Sequence, residues 1–352
     1  MSGTIPIRRI LLIRPSALGD VCRSVPVLAS LRATWPHADI HWLVQDSFRE
    51  AIEFHPLLDG VVPFHRNLFR GGRLSPMRWG LWVRWLMNIG RGQWDLVLDC
   101  QGLARTGLMT WATRAPTRVG DRAAREGAWL AYNQMASVET GVHEVDRMLA
   151  VAVAAGATIA ADASLYPGVH ARAWWQGHPC GLSTSRYAVL ATTSRWRSKA
   201  WPRSHWVELA SAMREVGIDT VVLPGSQYEQ PEVGHTADAM RATGIKVEDL
   251  SGRTSIGQLM AVIEGAAITV SNDSAPLHMA VGLGGRCLGL FGPTDPAVVG
   301  PWGLPAQALR APRIEGAPHH YRDARIGDSI MRRLAVDQVA QRVDELIRGW
   351  DV

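Results

Sequence analysis

The stretch of residues 268–296 constrains the fold more than any other part of the sequence. Residues 268–270 are typical of a β-strand, and the Asn, Asp and Ser that follow are residues that cap helix N-termini. Pro276 suits the first helical turn, where a missing N–H costs nothing. We therefore predict a helix that begins near Ala275 and a second strand that runs into the loop 291–296. Strand, helix and strand in this order build parallel α/β sheets.

The N-terminus of this helix is a candidate anion-binding site. Its N–H groups and the positive end of its dipole would point out of the carboxyl end of the preceding strand, where open parallel sheets bind ligands. His278 lies one turn further along the helix, and Thr294 and Asp295 follow the next strand. An ordinary capped strand–helix turn would contain the same capping residues, and this simpler interpretation remains open.

A second strand-to-helix turn lies near the start of the chain. The apolar run 9–14 is typical of a buried parallel strand, and it leads directly into residues 15–20, Pro-Ser-Ala-Leu-Gly-Asp. Strand-like and helix-like segments alternate from there, pause around residues 150–182, and alternate again from residue 187. This pattern predicts two parallel α/β domains in series, with a cleft between their sheet ends.

Composition excludes several classes of protein. No run of apolar residues approaches the ~18 that a membrane span needs, and the first apolar segment is too short for a signal peptide, so we expect a cytoplasmic protein. The four cysteines are scattered without a Cys-x-x-Cys pair, which argues against a disulfide scaffold and a structural zinc site. Motifs for metal-dependent transfer, NTP hydrolysis, serine hydrolysis and dinucleotide binding are absent from the sequence. The adjacent pair His319-His320 is interpreted as part of a loop.

The charge is positive and unevenly distributed. The net charge of +5 indicates acidic partners, and residues 60–94 contain no Asp or Glu. The same segment combines arginines with tryptophans, namely Arg66, Arg70, Arg73, Arg78, Arg84, Arg91, Trp79, Trp82, Trp85 and Trp94. Such a mixture suits a water–lipid interface or a phosphate-bearing amphiphile. No nucleic-acid-binding signature accompanies it, and a solvated basic face on a Trp-anchored helix is the alternative.

Two positions suggest chemistry. Asp20 follows Gly19 at the start of the first helix, where its carboxylate could accept a proton as a general base, or could simply cap the helix. The loop 192–202 places hydroxyl groups, Arg195, Arg197 and Lys199 directly after a strand. Cations and hydroxyl groups opposite a helix N-terminus would hold a diphosphate from two sides. A basic surface loop is the alternative.

Seven motifs, taken in chain order, carry a resemblance. They are residues 11–20 with 25–28, 99–103, 143–147, 199–202, 250–255, 271–274 with His278, and 291–296. Over nearly its whole length the chain resembles the ADP-heptose:lipopolysaccharide heptosyltransferases, glycosyltransferase family 9. The resemblance implies a GT-B fold, with two doubly wound Rossmann-like domains that face each other across a cleft. Residues 1–175 would bind the acceptor, residues 176–330 the nucleotide sugar, and a helix within 331–352 would pack back on the first domain.

The resemblance also implies site residues and partners. Asp20 would be the general base of an inverting transfer that uses neither a metal nor a cofactor. The donor, ADP-heptose, would be bound by Thr192, Thr193, Lys199, Asp273, Ser274, Ala275 and His278. The anionic lipopolysaccharide core acceptor would be bound by Ser16, Gly19, Arg66, Gln101, Arg125, His143 and Arg147. The protein would act at the cytoplasmic face of the inner membrane, and nucleic acid is not an expected partner.

Two departures from the family pattern matter. Ala275 stands where the family usually has Gly, and its methyl group could narrow the approach of the backbone to a phosphate. The region 321–333 lacks the cysteines that some relatives carry, so we expect no metal role there. The first departure, Ala275, is the one that leaves alternatives open. A relative that uses another nucleotide sugar or glycan acceptor is therefore one alternative, and a non-catalytic protein that binds glycolipid or nucleotide is another.

Overall fold

The computed structural model describes residues 6–66, 76–182, 186–312 and 323–349. The chain divides into two compact units, Met1–Tyr166 and Pro167–Val352. Arg70, Arg73 and the pair His319-His320 lie outside the described residues. None of the described helices combines the length and apolarity needed to cross a membrane.

The first unit is built on a six-stranded parallel sheet with the order β3-β2-β1-β4-β5-β6. Its strands are β1 (Arg9–Ile13), β2 (Asp39–Gln45), β3 (Gly60–Phe64), β4 (Leu96–Asp99), β5 (Thr117–Asp121) and β6 (Gln134–Ala136). Its helices are α1 (Leu18–Arg23), α2 (Val25–Thr34), α3 (Pro76–Gly90), α4 (Ala104–Ala112) and α5 (Glu144–Ala154). The central strands β1, from Ile10 onwards, and β4 are buried, as is typical of parallel sheets whose two faces are covered by helices.

The second unit repeats this plan with the order β12-β11-β10-β7-β8-β9, again all parallel. Its strands are β7 (Tyr187–Ala191), β8 (Thr220–Leu223), β9 (Lys246–Asp249), β10 (Ile268–Asn272), β11 (Cys287–Phe291) and β12 (Ala308–Arg310). Its helices are α6 (Val169–Gln176), α7 (Pro179–Leu182), α8 (Arg203–Ala212), α9 (Gln230–Arg241), α10 (Ile256–Glu264), α11 (Ala275–Gly282), α12 (Pro296–Val299), α13 (Ala324–Met331) and α14 (Val336–Arg348).

Each sheet has one position where the direction of winding reverses. In the first unit it lies between the neighbouring strands β1 and β4, and in the second between β7 and β10. Both orders are the doubly wound Rossmann order, in which ligands bind at the carboxyl ends of the two strands at this switch point. The fold therefore directs attention to the turns after β1, β4, β7 and β10.

Helices at both ends of the second unit pack within that unit. In α6, Arg172 pairs with Glu264 of α10 at 2.7 Å, and Trp175 donates to the hydroxyl of Tyr187 at 2.8 Å. The division between the units thus precedes α6, whereas the expected boundary at residue 175 falls near its end. In α14, the apolar stripe that includes Val339 and Val343 is buried in the core of the second unit, which accounts for the apolar face of this C-terminal helix.

Candidate active site

The turn after β1 surrounds Asp20 with hydrogen-bond donors. Arg14, at the end of β1, donates to the carboxylate at 2.9 Å, and Arg23, one turn along α1, also pairs with it. The backbone N–H of Ala17 donates to the same carboxylate at 3.2 Å. The side chain of Asp20 nevertheless stays 27% exposed. We call Arg14, Ala17, Asp20 and Arg23 the Asp20 cluster.

The two arginines determine the ionisation of Asp20. Burial by itself raises the pKa of this carboxyl, but the charges of Arg14 and Arg23 and the hydrogen bonds from Arg23 and Ala17 outweigh it and hold the pKa well below its usual range. Asp20 is therefore a carboxylate at neutral pH. Its bond to the N–H of Ala17 also fixes the first turn of α1, and its role as a general base stays a prediction.

The turn after β4 lies beside the Asp20 cluster because β4 is the neighbour of β1. Gln101 donates to the hydroxyl of Ser16 at 3.3 Å. The carboxylate of the buried Asp99 accepts the N–H groups of Gln101 and Gly102 at 2.9 and 3.1 Å and the hydroxyl of Tyr132 at 2.7 Å. Gly102 has a φ of +66°, which favours glycine. Asp99 therefore fixes the turn that brings Gln101 to Ser16.

The remaining predicted acceptor residues spread along the same sheet edge. The N–H of Arg125 donates to the carbonyl of Gly102 at 2.9 Å. His143 caps α5, and Arg147, in the first turn of that helix, pairs with Asp121 at the end of β5 at 2.5 Å. Arg66 faces Arg105 of α4 electrostatically. The pKa of Arg105 is lowered first by burial and then by the positive charge of Arg66.

In the second unit, Asn272 joins the turns after β7 and β10. Its side-chain amide donates to the carbonyl of Thr192 at 3.0 Å and accepts the N–H of Trp201 at 3.0 Å. The helix α11 begins at Ala275 as predicted, but its N-cap residue Ser274 makes no capping hydrogen bond. The Ser274 hydroxyl instead lies 3.0 Å from that of Ser271. The side chain of the N-cap residue therefore does not cap the N-terminus of α11.

Three of the sequence motifs meet at Asp273. Lys199 places its ammonium group 2.6 Å from the Asp273 carboxylate, and the hydroxyl of Thr294 donates to the same oxygen at 2.8 Å. The side chains of Lys199 and Asp273 are only 16% and 8% exposed. We call Lys199, Asp273 and Thr294 the Asp273 cluster. It collects an ammonium, a carboxylate and a hydroxyl group at the switch point of the second sheet.

The other predicted donor residues surround this cluster. His278 is buried in α11, and Ala275 is half-buried at the first position of that helix. Thr192 and Thr193 are buried at the end of β7. Within the described ranges the hydroxyl of Thr192 has no hydrogen-bond partner. Among the described residues, no group of three His, Cys, Asp or Glu side chains is placed to share a metal ion.

Comparison with known proteins decides the family. Residues 82–327, more than half of the chain, match the family model described as glycosyltransferase family 9 (heptosyltransferase). The chain belongs to glycosyltransferase family 9. The resemblance seen in the sequence motifs is therefore confirmed, and the chain is a glycosyltransferase.

Curated relatives of this family 9 transferase match most of its length. Lipopolysaccharide heptosyltransferase 1 of Pseudomonas aeruginosa is 29% identical over 306 residues, which cover 84% of this chain and 81% of the relative. Lipopolysaccharide heptosyltransferase 2 of Escherichia coli K12 is 25% identical over 353 residues, which cover 96% of this chain and 97% of the relative.

Solved structures of heptosyltransferases share the fold. The E. coli ADP-heptose lps heptosyltransferase II aligns with a TM-score of 0.78 and 19% identity, over 98% of this chain and all of the other. The E. coli heptosyltransferase WaaC with ADP aligns with a TM-score of 0.77 and 24% identity, over 96% and 99% of the two chains. These likenesses and the two Rossmann-order sheets confirm the expected GT-B fold class; the assigned residue roles stay predictions.

Several residues of this family 9 site were not assigned by sequence reasoning. Arg14 and Arg23 pair with Asp20, Asp99 holds the Gln101 turn, and Asn272 ties the loop 192–202 to β10. The sequence offered one usable signal, since Arg23 lies three residues after Asp20 and so shares its helix face. The other contacts join distant parts of the chain.

The helix α13 packs against the loop that carries Lys199 of the Asp273 cluster. A Cβ atom at Gly327 would overlap the Cα and Cβ atoms of Ser198, which neighbours Lys199, and one at Gly292 would overlap the sulfur of Met331. We expect Gly327→Ala to displace the Lys199 loop, to cost about 1–3 kcal/mol of stability, and to raise the donor KM more than it lowers kcat. Thermal denaturation and steady-state kinetics measure these effects.

A second helix glycine provides the control for this change. A Cβ at Gly234 of α9 would approach only Asp249, at 4.0 Å. Gly234→Ala should therefore leave the donor KM unchanged and keep or slightly raise the melting temperature. If Gly327→Ala changes the melting temperature but not the KM, α13 does not position the Lys199 loop.

Proposed function

We propose that this protein transfers a heptosyl group from ADP-heptose to the inner core of lipopolysaccharide, with inversion and without a metal. The observation that carries the proposal is the match, over 84% of this chain, to a relative named lipopolysaccharide heptosyltransferase 1. The placement of an ionised carboxylate and a buried lysine at the two switch points supports it.

The second unit would hold the donor by its diphosphate. The ammonium of Lys199, the N–H groups at the start of α11 and the hydroxyl of Thr192 are the donors available for phosphate oxygens. Lys199 would exchange its contact with Asp273 for one with phosphate, while Thr294 continues to donate to Asp273. Adenosine diphosphate as the nucleotide is favoured by the related structure of WaaC with ADP.

The first unit would supply the base. An acceptor hydroxyl attacks the anomeric carbon of heptose, its proton passes to the carboxylate of Asp20, and the bond from the anomeric carbon to the ADP oxygen breaks. A single in-line displacement of this kind inverts the configuration. The negative charge that develops on the leaving diphosphate is stabilised by Lys199 and the dipole of α11.

An anionic acceptor suits the cationic edge of the first sheet. Arg125 is exposed there, and Arg147 and His143 follow along the edge. Arg66 would add charge from the end of β3. Because lipopolysaccharide core is carried on lipid, we propose that the enzyme works on the cytoplasmic face of the inner membrane as a peripheral protein.

Ala275 favours one alternative, a relative that uses another nucleotide sugar. Its methyl group lies at the first position of α11, where the family usually has glycine. Thermal-shift measurements with ADP, ADP-heptose and UDP-sugars distinguish the two donors. We expect ADP and ADP-heptose to raise the melting temperature, since a ligand that binds the folded state stabilises it. Stabilisation by UDP-sugars alone would reject ADP-heptose.

A further inference from the structure

The helix α3 has apolar side chains on both of its faces. Towards the sheet, Trp82 and Trp85 pack on Phe64, with ring centroids 6.2 and 5.4 Å from it. Away from the sheet, Trp79, Val83 and Met87 follow one another at intervals of four residues and so form a stripe. Trp79 and Met87 are 52% and 55% exposed. A surface helix normally has polar residues on its outer face, so this apolar stripe indicates a binding surface.

The neighbouring segments extend the apolar surface. The helix α4 packs beside α3, since a Cβ at Gly90 would lie 2.6 Å from the carbonyl of Ala112. On α4, Leu108 and Trp111 are exposed, and the adjoining 3-10 helix Ala128–Ala131 exposes Leu130. The three segments lie in the connections from β3 to β4, from β4 to β5 and from β5 to β6, which all run towards the β6 edge of the sheet. Because such connections between parallel strands are right-handed, the three segments lie on the same face of the sheet. We call Trp79, Val83, Met87, Leu108, Trp111 and Leu130 the α3–α4 face.

The charge around this face is mostly positive. Residues 60–126 contain four acidic residues, Asp95, Asp99, Asp121 and Glu126. Asp99 and Asp121 are buried, and Asp95, which directly precedes β4, accepts the backbone N–H groups of Arg8 and Arg9. Glu126 is exposed and accepts the N–H of Ala104 at the start of α4 at 3.2 Å. The arginines of α3 and α4 and of the residues that follow them therefore outnumber the exposed carboxylates around the α3–α4 face; they are Arg78, Arg84, Arg91, Arg105 and Arg114.

We propose that the α3–α4 face docks on an anionic lipid bilayer, with Trp79, Met87 and Trp111 inserted at headgroup level and the arginines on lipid phosphates. Exposed tryptophan beside arginine suits this interface, and anionic lipid complements the charge. A second copy of the chain would bring like charges together, and a soluble protein partner would need an acidic and apolar surface. The inference deepens the proposed function, since a lipid-borne acceptor would lie at such a surface, but binding to lipid can be measured without any transfer.

Sedimentation with lipid vesicles tests the proposal on the full-length protein. The wild type should bind vesicles of phosphatidylglycerol and phosphatidylethanolamine, bind phosphatidylcholine vesicles poorly, and dissociate at high salt. Trp79→Ser/Met87→Ser should lower the partition coefficient on anionic vesicles by at least about tenfold. The matched control is Val153→Ser/Ile159→Ser, which also removes two exposed apolar side chains. These residues belong to α5 and the loop after it, and α5 packs against α2 rather than against the α3–α4 face. This control should bind as the wild type does.

Three results would overturn the proposal. The wild type could fail to bind anionic vesicles, or the Trp79/Met87 variant could bind as strongly as the wild type while circular dichroism shows both folded. Light scattering could show that the wild type is a dimer and the variant a monomer, which would make the face a self-interface. Transfer to a delipidated acceptor in solution separates this test from the proposed function, because the variant should retain it.

Discussion

Replacement of Asp20 by asparagine is expected to lower kcat by about 10²–10⁴-fold, the usual contribution of a general base. Asparagine keeps the size of the side chain but cannot accept the proton of the attacking hydroxyl. Donor binding should be unchanged, because the predicted donor residues belong to the second unit. Steady-state kinetics and calorimetric titration with ADP measure the two effects. Turnover close to that of the wild type would reject Asp20 as the base.

Asp20→Asn also removes the charged partner of Arg14 and Arg23, and this loss could lower stability. A matched control is therefore needed. Asp59 resembles Asp20, because it pairs with Arg32 and accepts a backbone N–H, that of Ile40, at 2.7 Å. Asp59→Asn should therefore lower stability to a comparable extent but leave kcat unchanged. A similar loss of kcat in both variants would indicate damage to the fold rather than to the chemistry.

The lowered pKa of Asp20 also predicts how its contribution to stability changes with pH. A carboxyl whose pKa is lower in the folded state stabilises the fold above its unfolded pKa of roughly 4, and this contribution is lost as the pH falls through the folded pKa. The melting temperatures of the wild type and Asp20→Asn should therefore differ most at neutral pH and approach each other below about pH 4.

Replacement of Lys199 by alanine is expected to raise the donor KM by about 10–100-fold, because a hydrogen bond from a charged group contributes roughly 1.5–3 kcal/mol. The ammonium is the group of the Asp273 cluster that can bind a phosphate oxygen with full charge. The chain's other lysine, Lys246, is exposed on β9, and Lys246→Ala should leave the KM unchanged. Donor saturation curves make the comparison.

A double variant separates two explanations for such a loss. Lys199→Ala leaves the buried carboxylate of Asp273 with only Thr294 from the cluster, and this charge could repel the diphosphate. Lys199→Ala/Asp273→Asn removes that charge. If Lys199 binds phosphate directly, the double variant stays as weak as Lys199→Ala; if the double variant recovers the wild-type KM, the lysine acts only by neutralising Asp273.

Local patterns made the central strands and the site turns predictable. The apolar runs of β1, β7 and β10 and the helix start at Ala275 follow from short-range sequence signals, and the structure contains each of them. The strand β9, Lys-Val-Glu-Asp, was not predicted, because an edge strand with three charged residues lacks the apolar run of a buried strand. The strand is stabilised by its backbone pairing with β8, which its own sequence does not reveal.

The candidate site follows from the sequence as a set of residues but not as a set of contacts. Asp20, Lys199 and Asp273 were each singled out from their positions after strands. The ion pair between Lys199 and Asp273 joins positions 74 residues apart, and the role of Asn272 depends on a loop 80 residues away. Such contacts are set by the strand order, since β7 and β10 become neighbours only when the sheet forms.

The central claim is heptosyl transfer, and analysis of the reaction products tests it most directly. Purified protein is incubated with ADP-heptose and a truncated lipopolysaccharide core acceptor, and the products are examined by mass spectrometry and NMR. We expect the acceptor to gain one heptose, one ADP to be released for each heptose transferred, and the new linkage to have the anomeric configuration opposite to that of the donor. An unmodified acceptor in the presence of ADP-heptose, together with a product from a UDP-sugar, would contradict this account.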